Sequence, residues 1–140
     1  MRRLTLDASA LIVRLLREPR AEAVEALAGS GTTLAAPDLL ILESANAIWK
    51  AARRADLGEA ECDELLAEVM SFDVDLHPSA PLAPAALRLA REIGETVYDC
   101  LYLVLAIDED APLLTADRRL VDKARATGLG EHVVWIGETG

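Results

Sequence analysis

Aromatic side chains are scarce in this chain of 140 residues, at 4% of the sequence. With 52% hydrophobic residues overall, any core is therefore built from Leu, Val, Ile and Ala, which fits an ordinary globular domain and excludes a disordered chain. Cysteine is scarcer still. Cys62 and Cys100 are far apart and lie in no CxxC or Cys/His spacing, so neither a disulfide framework nor a zinc site is expected. No uncharged apolar run approaches the roughly 18 residues that a membrane helix needs. The opening MRRLTLDASALIVRLL has a basic head, but Asp7 and Arg14 interrupt it, so it does not read as a signal peptide and a cytoplasmic protein is expected. Positive charge is the last deficit. Fourteen Lys and Arg face 24 Asp and Glu, a net charge of −10, which argues against a domain that holds nucleic acid by charge alone.

The length fits one domain over residues 1–140, with no internal repeat, no low-complexity tail and a short terminus at 137–140. Hydrophobic spacing predicts a strand at Leu4–Leu6, a helix from Ala8 to Leu16 and a short helix around Ala23–Leu27. A strand at Thr32–Ala36 and a helix over Leu39–Arg54 follow, then a helix over Ala60–Phe72 and a short strand at 74–78. Helices ending near Gly94 and running from Thr96 to Ile107, a buried strand at Leu113–Thr115, a helix at Arg118–Ala126 and a strand at His132–Ile136 complete the chain. Strands alternating with helices predict an α/β fold, a three-layer α/β/α sandwich around a short, mainly parallel sheet.

In such sheets functional side chains gather at the carboxyl ends of the strands. Four acids are placed to do so: Asp7 ends the first strand, Glu43 lies early in the third helix, Asp99 in the first turn of its helix, and Asp117 just after Leu113–Thr115. Asp7 and Asp117 are equally suited to cap the helices that follow them, and Asp99 to answer a helix dipole. Glu43 is flanked by Leu39, Leu40, Ile41, Leu42, Ala45, Ala47 and Ile48, which reads as a largely buried helix, where a carboxylate is costly unless paired or bound to a cation. Clustered carboxylates raise one another's pKa, and a hard divalent cation, Mg2+ or Mn2+, removes that conflict. Ser9 and Thr115 are placed to hold a carboxylate or a water, or to serve as plain turn hydroxyls, and Asn46 shares the Glu43 face.

The segments LDASALIVRLL, PDLLILESANAIWKA, YDCLYLVLA and LLTADRRLVDKA, in this order, resemble the PIN-domain family and within it the VapC-type toxin ribonucleases of toxin–antitoxin pairs. The resemblance implies that Asp7, Glu43, Asp99 and Asp117 form an acidic catalytic site, with Asp7, Asp99 and Asp117 reaching the metal and Ser9, Asn46 and Thr115 assisting. It implies a metal-dependent endoribonuclease in which metal-activated water attacks the phosphorus, leaving a 5′-phosphate and a 3′-hydroxyl. It also implies a homodimer, a cognate antitoxin whose Arg reaches toward the acids, and contact with DNA only through that antitoxin. Cys100 stands where many relatives carry Ala and reads as packing.

Candidate RNA contacts are Lys50, Arg53 and Arg54 in one basic group and Arg118 and Arg119 in another, which also holds Lys123 and Arg125; either group also fits a solvated helix face. The stretch 55–87 has no Lys or Arg but carries Asp56, Glu59, Glu61, Asp63, Glu64, Glu68, Asp73 and Asp75, and is no RNA path. Trp49 and Trp135 read as core or dimer-interface residues, Tyr102 as packing that could orient Asp99, and His77 and His132 as non-ligands. Two other functions fit the sequence less well. A phosphoryl-transfer domain phosphorylated at Asp7 would need an acid where Ser9 stands, and a non-catalytic PIN-like module binding RNA or protein has no use for four clustered carboxylates.

Overall fold

The structure is a computed structural model describing residues 2–55 and 57–138, apart from the side chain of Glu138. Met1, Asp56 of the acidic stretch and residues 139–140 of the terminus lie outside the described residues. Five strands, β1 (Arg2–Leu6), β2 (Thr32–Pro37), β3 (Asp75–His77), β4 (Leu113–Thr115) and β5 (Val133–Trp135), form one sheet in the order β3-β2-β1-β4-β5. Every pairing is parallel. The helices are α1 (Ala8–Leu15), α2 (Ala21–Leu27), α3 (Leu39–Ala55), α4 (Glu59–Ser71), α5 (Ala83–Ile93), α6 (Val97–Asp108) and α7 (Arg118–Ala126).

The order explains where the helices go. From β1 the chain steps outward through β2 to β3, then returns across the sheet to β4 and steps out the other way to β5. Parallel crossovers are right-handed, so reversing the direction of travel moves the connecting helices to the opposite face. Accordingly α1 packs on α2, α3 and α4, while α5 packs on α6. The three layers expected from the sequence are the outcome.

The reversal falls between the neighbouring strands β1 and β4. There the chain leaves the two carboxyl ends toward opposite faces, which opens a crevice. Asp7 and Asp117 stand at those two ends.

The core is aliphatic, as the shortage of aromatics required. Leu4, Leu6, Leu11, Leu103, Leu113, Leu114 and Leu120 are almost wholly shielded from solvent. In α6, Cys100 through Ala106 are all buried, because this helix is covered by α5 on one side and by β1, β2 and β4 on the other. That burial anchors its first turn, and with it Asp99.

The reading of α3 needs correction. Its buried positions are Leu40, Ser44, Ile48 and Ala51, a single stripe at helical spacing, whereas Leu42 is 70% and Trp49 54% exposed. The helix is amphipathic, not largely buried, because only one face meets α1 and α4. Trp49 is therefore no core residue. Among the described residues, no helix is long and apolar enough to cross a membrane.

Candidate active site

The carboxyl ends of β1 and β4 are tied together by hydroxyls. Asp7, in extended conformation at the end of β1, caps α1 by accepting from the Ala10 N–H at 3.0 Å. The same oxygen accepts from the Ser9 hydroxyl at 2.7 Å. Ser9 Oγ lies 3.2 Å from Thr115 Oγ1 and accepts from the Ala116 N–H at 2.9 Å, so it bridges the two strand ends. Thr115, fully buried, accepts from the Asp117 N–H at 3.0 Å, and Asp117 caps α7 through the Leu120 N–H at 3.2 Å. For Asp7 and Asp117, capping and site membership coincide, because each cap occupies only one of the two carboxylate oxygens.

Asp99 enters from the opposite layer. Thr96 caps α6 by accepting from the Asp99 N–H at 3.1 Å, so the Asp99 carboxylate has no capping duty. Glu43 enters from α3, half-buried, one turn from the helix start. Its aromatic neighbour is Tyr102, whose buried hydroxyl has no hydrogen bond of good geometry but lies close enough to favour the ionised Glu43. The sequence suggested Tyr102 as an orienting group for Asp99; its partner is Glu43. Tyr98, on the other side of Asp99, is 60% exposed.

The four acids sense one another. Burial pushes the Asp7 carboxyl up to about 6, against the opposing pull of Thr115, Ala10 and Ser9, and Glu43 adds repulsion. Burial also pushes Asp99 up to about 6, with repulsion from Asp117, Glu95 and Asp7. Glu43 is raised by burial and by the charge on Asp99, with Tyr102 opposing. The structure thus brings Asp7, Glu43, Asp99 and Asp117 into one electrostatic unit. The Cys100 thiol next to Asp99 is pushed up by burial to about 11, which leaves it protonated and fits a packing role.

The structure adds a buried acid beside the site, Glu95, and pairs it with Arg119, which the sequence offers only as a candidate RNA contact. Glu95, between Gly94 and the Thr96 cap, has a side chain only 1% exposed, and Arg119 Nη1 donates to it at 2.5 Å. The other nitrogen of that guanidinium, Nη2, lies 3.8 Å from Asp99 and 3.9 Å from Asp117. Arg119 is therefore an internal counter-charge for three acids. Glu95 stands four residues before Asp99, and that spacing is its one trace in the sequence.

Replacing Arg119 with Gln leaves a buried carboxylate without its cation. The expected loss of stability is about 1–3 kcal/mol, read by urea denaturation at pH 7.5. A loss below about 0.5 kcal/mol would show that the pair is only a surface contact.

The other expected residues are spread out. Asn46 is exposed on α3. Lys50, Arg53 and Arg54 are exposed in its last turns, with Arg53 over the Trp49 ring at 4.9 Å; at a rise of about 1.5 Å per residue they stand on the order of 10–16 Å along the axis from Glu43. Arg118 is exposed at the start of α7, next to Asp117. His77 is no part of the cluster: it faces Asp75 at 3.2 Å and Glu109 at 3.5 Å, beside Arg3, which bridges the same two acids.

The donor set is all hard oxygen, and its repulsion is only partly answered by Arg119, which fits a hard divalent cation. Among the described residues no three or more His, Cys, Asp or Glu side chains stand close enough together to hold a metal ion between them. A cation that keeps several of its waters and touches one or two carboxylates is what this geometry accommodates.

Comparison with known proteins agrees with this architecture. Residues 4–126 match the PIN domain family. Ribonuclease VapC3 of Pyrobaculum aerophilum is 37% identical over 123 residues, covering 86% of this chain and 94% of that protein, and Exonuclease VapC9 of the same organism is 36% identical over 66% of this chain and 68% of that one. The crystal structure of PAE2754 from Pyrobaculum aerophilum superposes with a TM-score of 0.70 at 27% identity, covering 98% of this chain and 91% of that one. VapBC2 from Rickettsia felis, solved bound to a DNA fragment from its promoter, shares the fold at a TM-score of 0.59 and 13% identity, covering 89% of this chain and 92% of that one. With a five-stranded parallel sheet, a four-acid cluster at its switch point and a match over most of its length, the chain belongs to the PIN domain family.

Proposed function

We propose that this chain is the toxin of a toxin–antitoxin pair and hydrolyses RNA phosphodiester bonds endonucleolytically, with Mg2+ or Mn2+ as cofactor. The observation that carries the reading is the convergence of Asp7, Glu43, Asp99 and Asp117 at the β1/β4 switch point, with Asp7 and Asp99 both pushed up to about 6. Carboxylates perturbed by burial and by one another in a crevice are candidates for a functional site. The names of the two relatives, one a ribonuclease and one an exonuclease, support a nuclease.

In this reading Asp7, Asp99 and Asp117 would hold the cation, one or two of them directly and the rest through water. When bound, it supplies Lewis-acid polarisation of the phosphate and stabilises charge on the leaving oxygen. Glu43, whose pKa is raised, is the group suited to take the proton from the attacking water at its carboxylate. Ser9 fixes the rotamer of Asp7 by its 2.7 Å bond, and Thr115 fixes the strand end from which Asp117 projects. Asn46 would act from the rim of the Glu43 face.

The partners proposed are the RNA substrate, a second copy of the chain and a basic antitoxin suited to the charge of −10, with DNA reached only through the antitoxin. Lys50, Arg53, Arg54, Arg118 and Arg119 are the proposed RNA contacts, within a single cytoplasmic domain.

The name of Exonuclease VapC9 favours a second reading, attack from chain ends. A covalently closed RNA circle separates the two. Cutting of the circle in Mg2+, abolished by EDTA and restored by Mn2+, is the expected result. Degradation confined to linear RNA would establish the exonuclease, and inertness toward both would overturn the assignment.

A further inference from the structure

Beside the acid cluster, on the β5 side, a tryptophan and two arginines form a group that the acids do not engage. Trp135 ends β5 and pairs in register with Thr115, whose hydroxyl belongs to the Asp7–Ser9–Asp117 network. The indole therefore stands at the same carboxyl edge as the candidate active site, one strand away from it. Its ring is half-buried, and two guanidiniums lie over it: Arg20 at 4.9 Å and Arg118 at 4.8 Å from the ring centroid.

Both arginines are exposed, and they come from different elements. Arg118 follows Asp117 directly, at the start of α7. Arg20 precedes α2 with a φ of 77°, a left-handed conformation that L residues seldom adopt, and its side chain makes no cap for that helix. The backbone thus accepts an unfavourable conformation where the guanidinium reaches Trp135. Among the described residues the only carboxylate paired with either is Asp122, 3.8 Å from Arg118 Nε in an exposed contact. Such surface pairs bind weakly and yield to a competing anion.

Stacking an arginine on indole settles its orientation without using its edge. The N–H fork stays free for a bidentate contact with a phosphate, and its ordering entropy is already spent. Two forks on one ring, next to a cluster that repels anions, form a preorganised phosphate site of the kind single-stranded nucleic acid follows. By contrast, the group at Lys50, Arg53 and Arg54 is separated from Glu43 by several turns of α3.

We propose that Arg20, Trp135 and Arg118 form a phosphate track that holds the RNA strand on the β5 side of the scissile bond. This rests on the ribonuclease reading above and extends it to Arg20, which nothing in the sequence singles out, and to Trp135, which the sequence suggests as a core or dimer-interface residue. The track binds the backbone and not the bases, so it adds affinity without sequence preference.

The test uses the full-length chain carrying Asp7→Asn, so that a fluorescent single-stranded RNA is bound without being cut, with anisotropy read across a salt series. Adding Arg20→Gln and Arg118→Gln is expected to weaken binding about 10-fold at low salt. The slope of log affinity against log salt should shrink by about 1.4, the contribution of two phosphates on a single strand. In the otherwise wild-type protein the same pair should raise KM and leave kcat within about 3-fold. Should the Gln pair fail to fold, Arg20→Lys with Arg118→Lys keeps both charges but loses the planar stack, and is expected to retain the salt slope while losing part of the affinity. An unchanged slope in the Gln pair, from a wild-type chain that does cut RNA, overturns the track alone. A wild-type chain that cuts no RNA overturns the reading beneath it, and an effect confined to association with a protein partner, with RNA binding unaltered, overturns the track in favour of that partner.

Discussion

Replacing Asp99 with Asn is expected to lower RNA cleavage about 10²–10⁴-fold while making the metal-free protein more stable. The two effects have one cause. Asp99 is pushed up to about 6 because it is partly buried and faces Asp117, Glu95 and Asp7. Every proton-equivalent of that shift is free energy spent on keeping the carboxylate ionised at neutral pH, up to about 3 kcal/mol from a displacement of roughly two pKa units. Asn has nearly the same shape, leaves the Thr96 cap on the Asp99 N–H untouched and removes the charge. Only part of the gain is realised, since Arg119 Nη2, 3.8 Å from the carboxylate, loses an attraction. A rise in melting temperature of about 3–8 °C is the net expectation.

Asp7→Asn should behave alike in activity but gain less stability. Asp7 accepts from both Ala10 and Ser9, and a neutral amide oxygen accepts those bonds less strongly than a carboxylate does. Calorimetry alongside a cleavage assay checks both. A variant that is inactive and also less stable would show that the acid is structural; one that is more stable and fully active would remove it from the chemistry.

Much of this was legible in the sequence, for reasons that differ from segment to segment. The strand–helix alternation announced a parallel layered fold because its apolar strands are too short to show alternation and are separated by helices, and that pattern depends on no distant contact. Asp7 and Asp117 were visible because they stand one and two residues after a strand, where a parallel sheet puts its functional edge. The apolar composition of LLILESANAIWK suggests a largely buried α3, whereas its burial follows Leu40, Ser44, Ile48 and Ala51 and leaves Leu42 and Trp49 outside. Glu95 and Arg119 lie 24 residues apart, and their pairing depends on how α6 and α7 converge. The stack of Arg20 and Arg118 on Trp135 depends on three separate elements. Neither leaves a local pattern.

Stability of the metal-free protein should fall as pH rises from about 4 to about 6.5, the reverse of ordinary acid denaturation. Asp7 and Asp99 are each pushed from 3.8 up to about 6 in the folded chain. Below the unfolded value both states are protonated and the groups contribute nothing. Between the two values the folded state holds protons that the unfolded state has released, so folding is penalised increasingly as pH rises; above about 6 the full penalty stands. It amounts to at most about 3 kcal/mol for each group, and less than twice that together, because part of the shift is mutual.

Under the proposed function, a divalent cation is expected to reverse the penalty where the acids are ionised. At pH 7.5, Mg2+ or Mn2+ at about 100 times its dissociation constant should stabilise the fold by about 2.7 kcal/mol. At pH 5 protons occupy Asp7 and Asp99, and the same concentration should give less than half of that. Asp99→Asn should flatten the pH slope and weaken the response to metal together, since one carboxylate drives both. Urea denaturation across pH, with and without Mn2+, reads all three; an equal metal effect at pH 5 and 7.5 would place the cation away from this cluster.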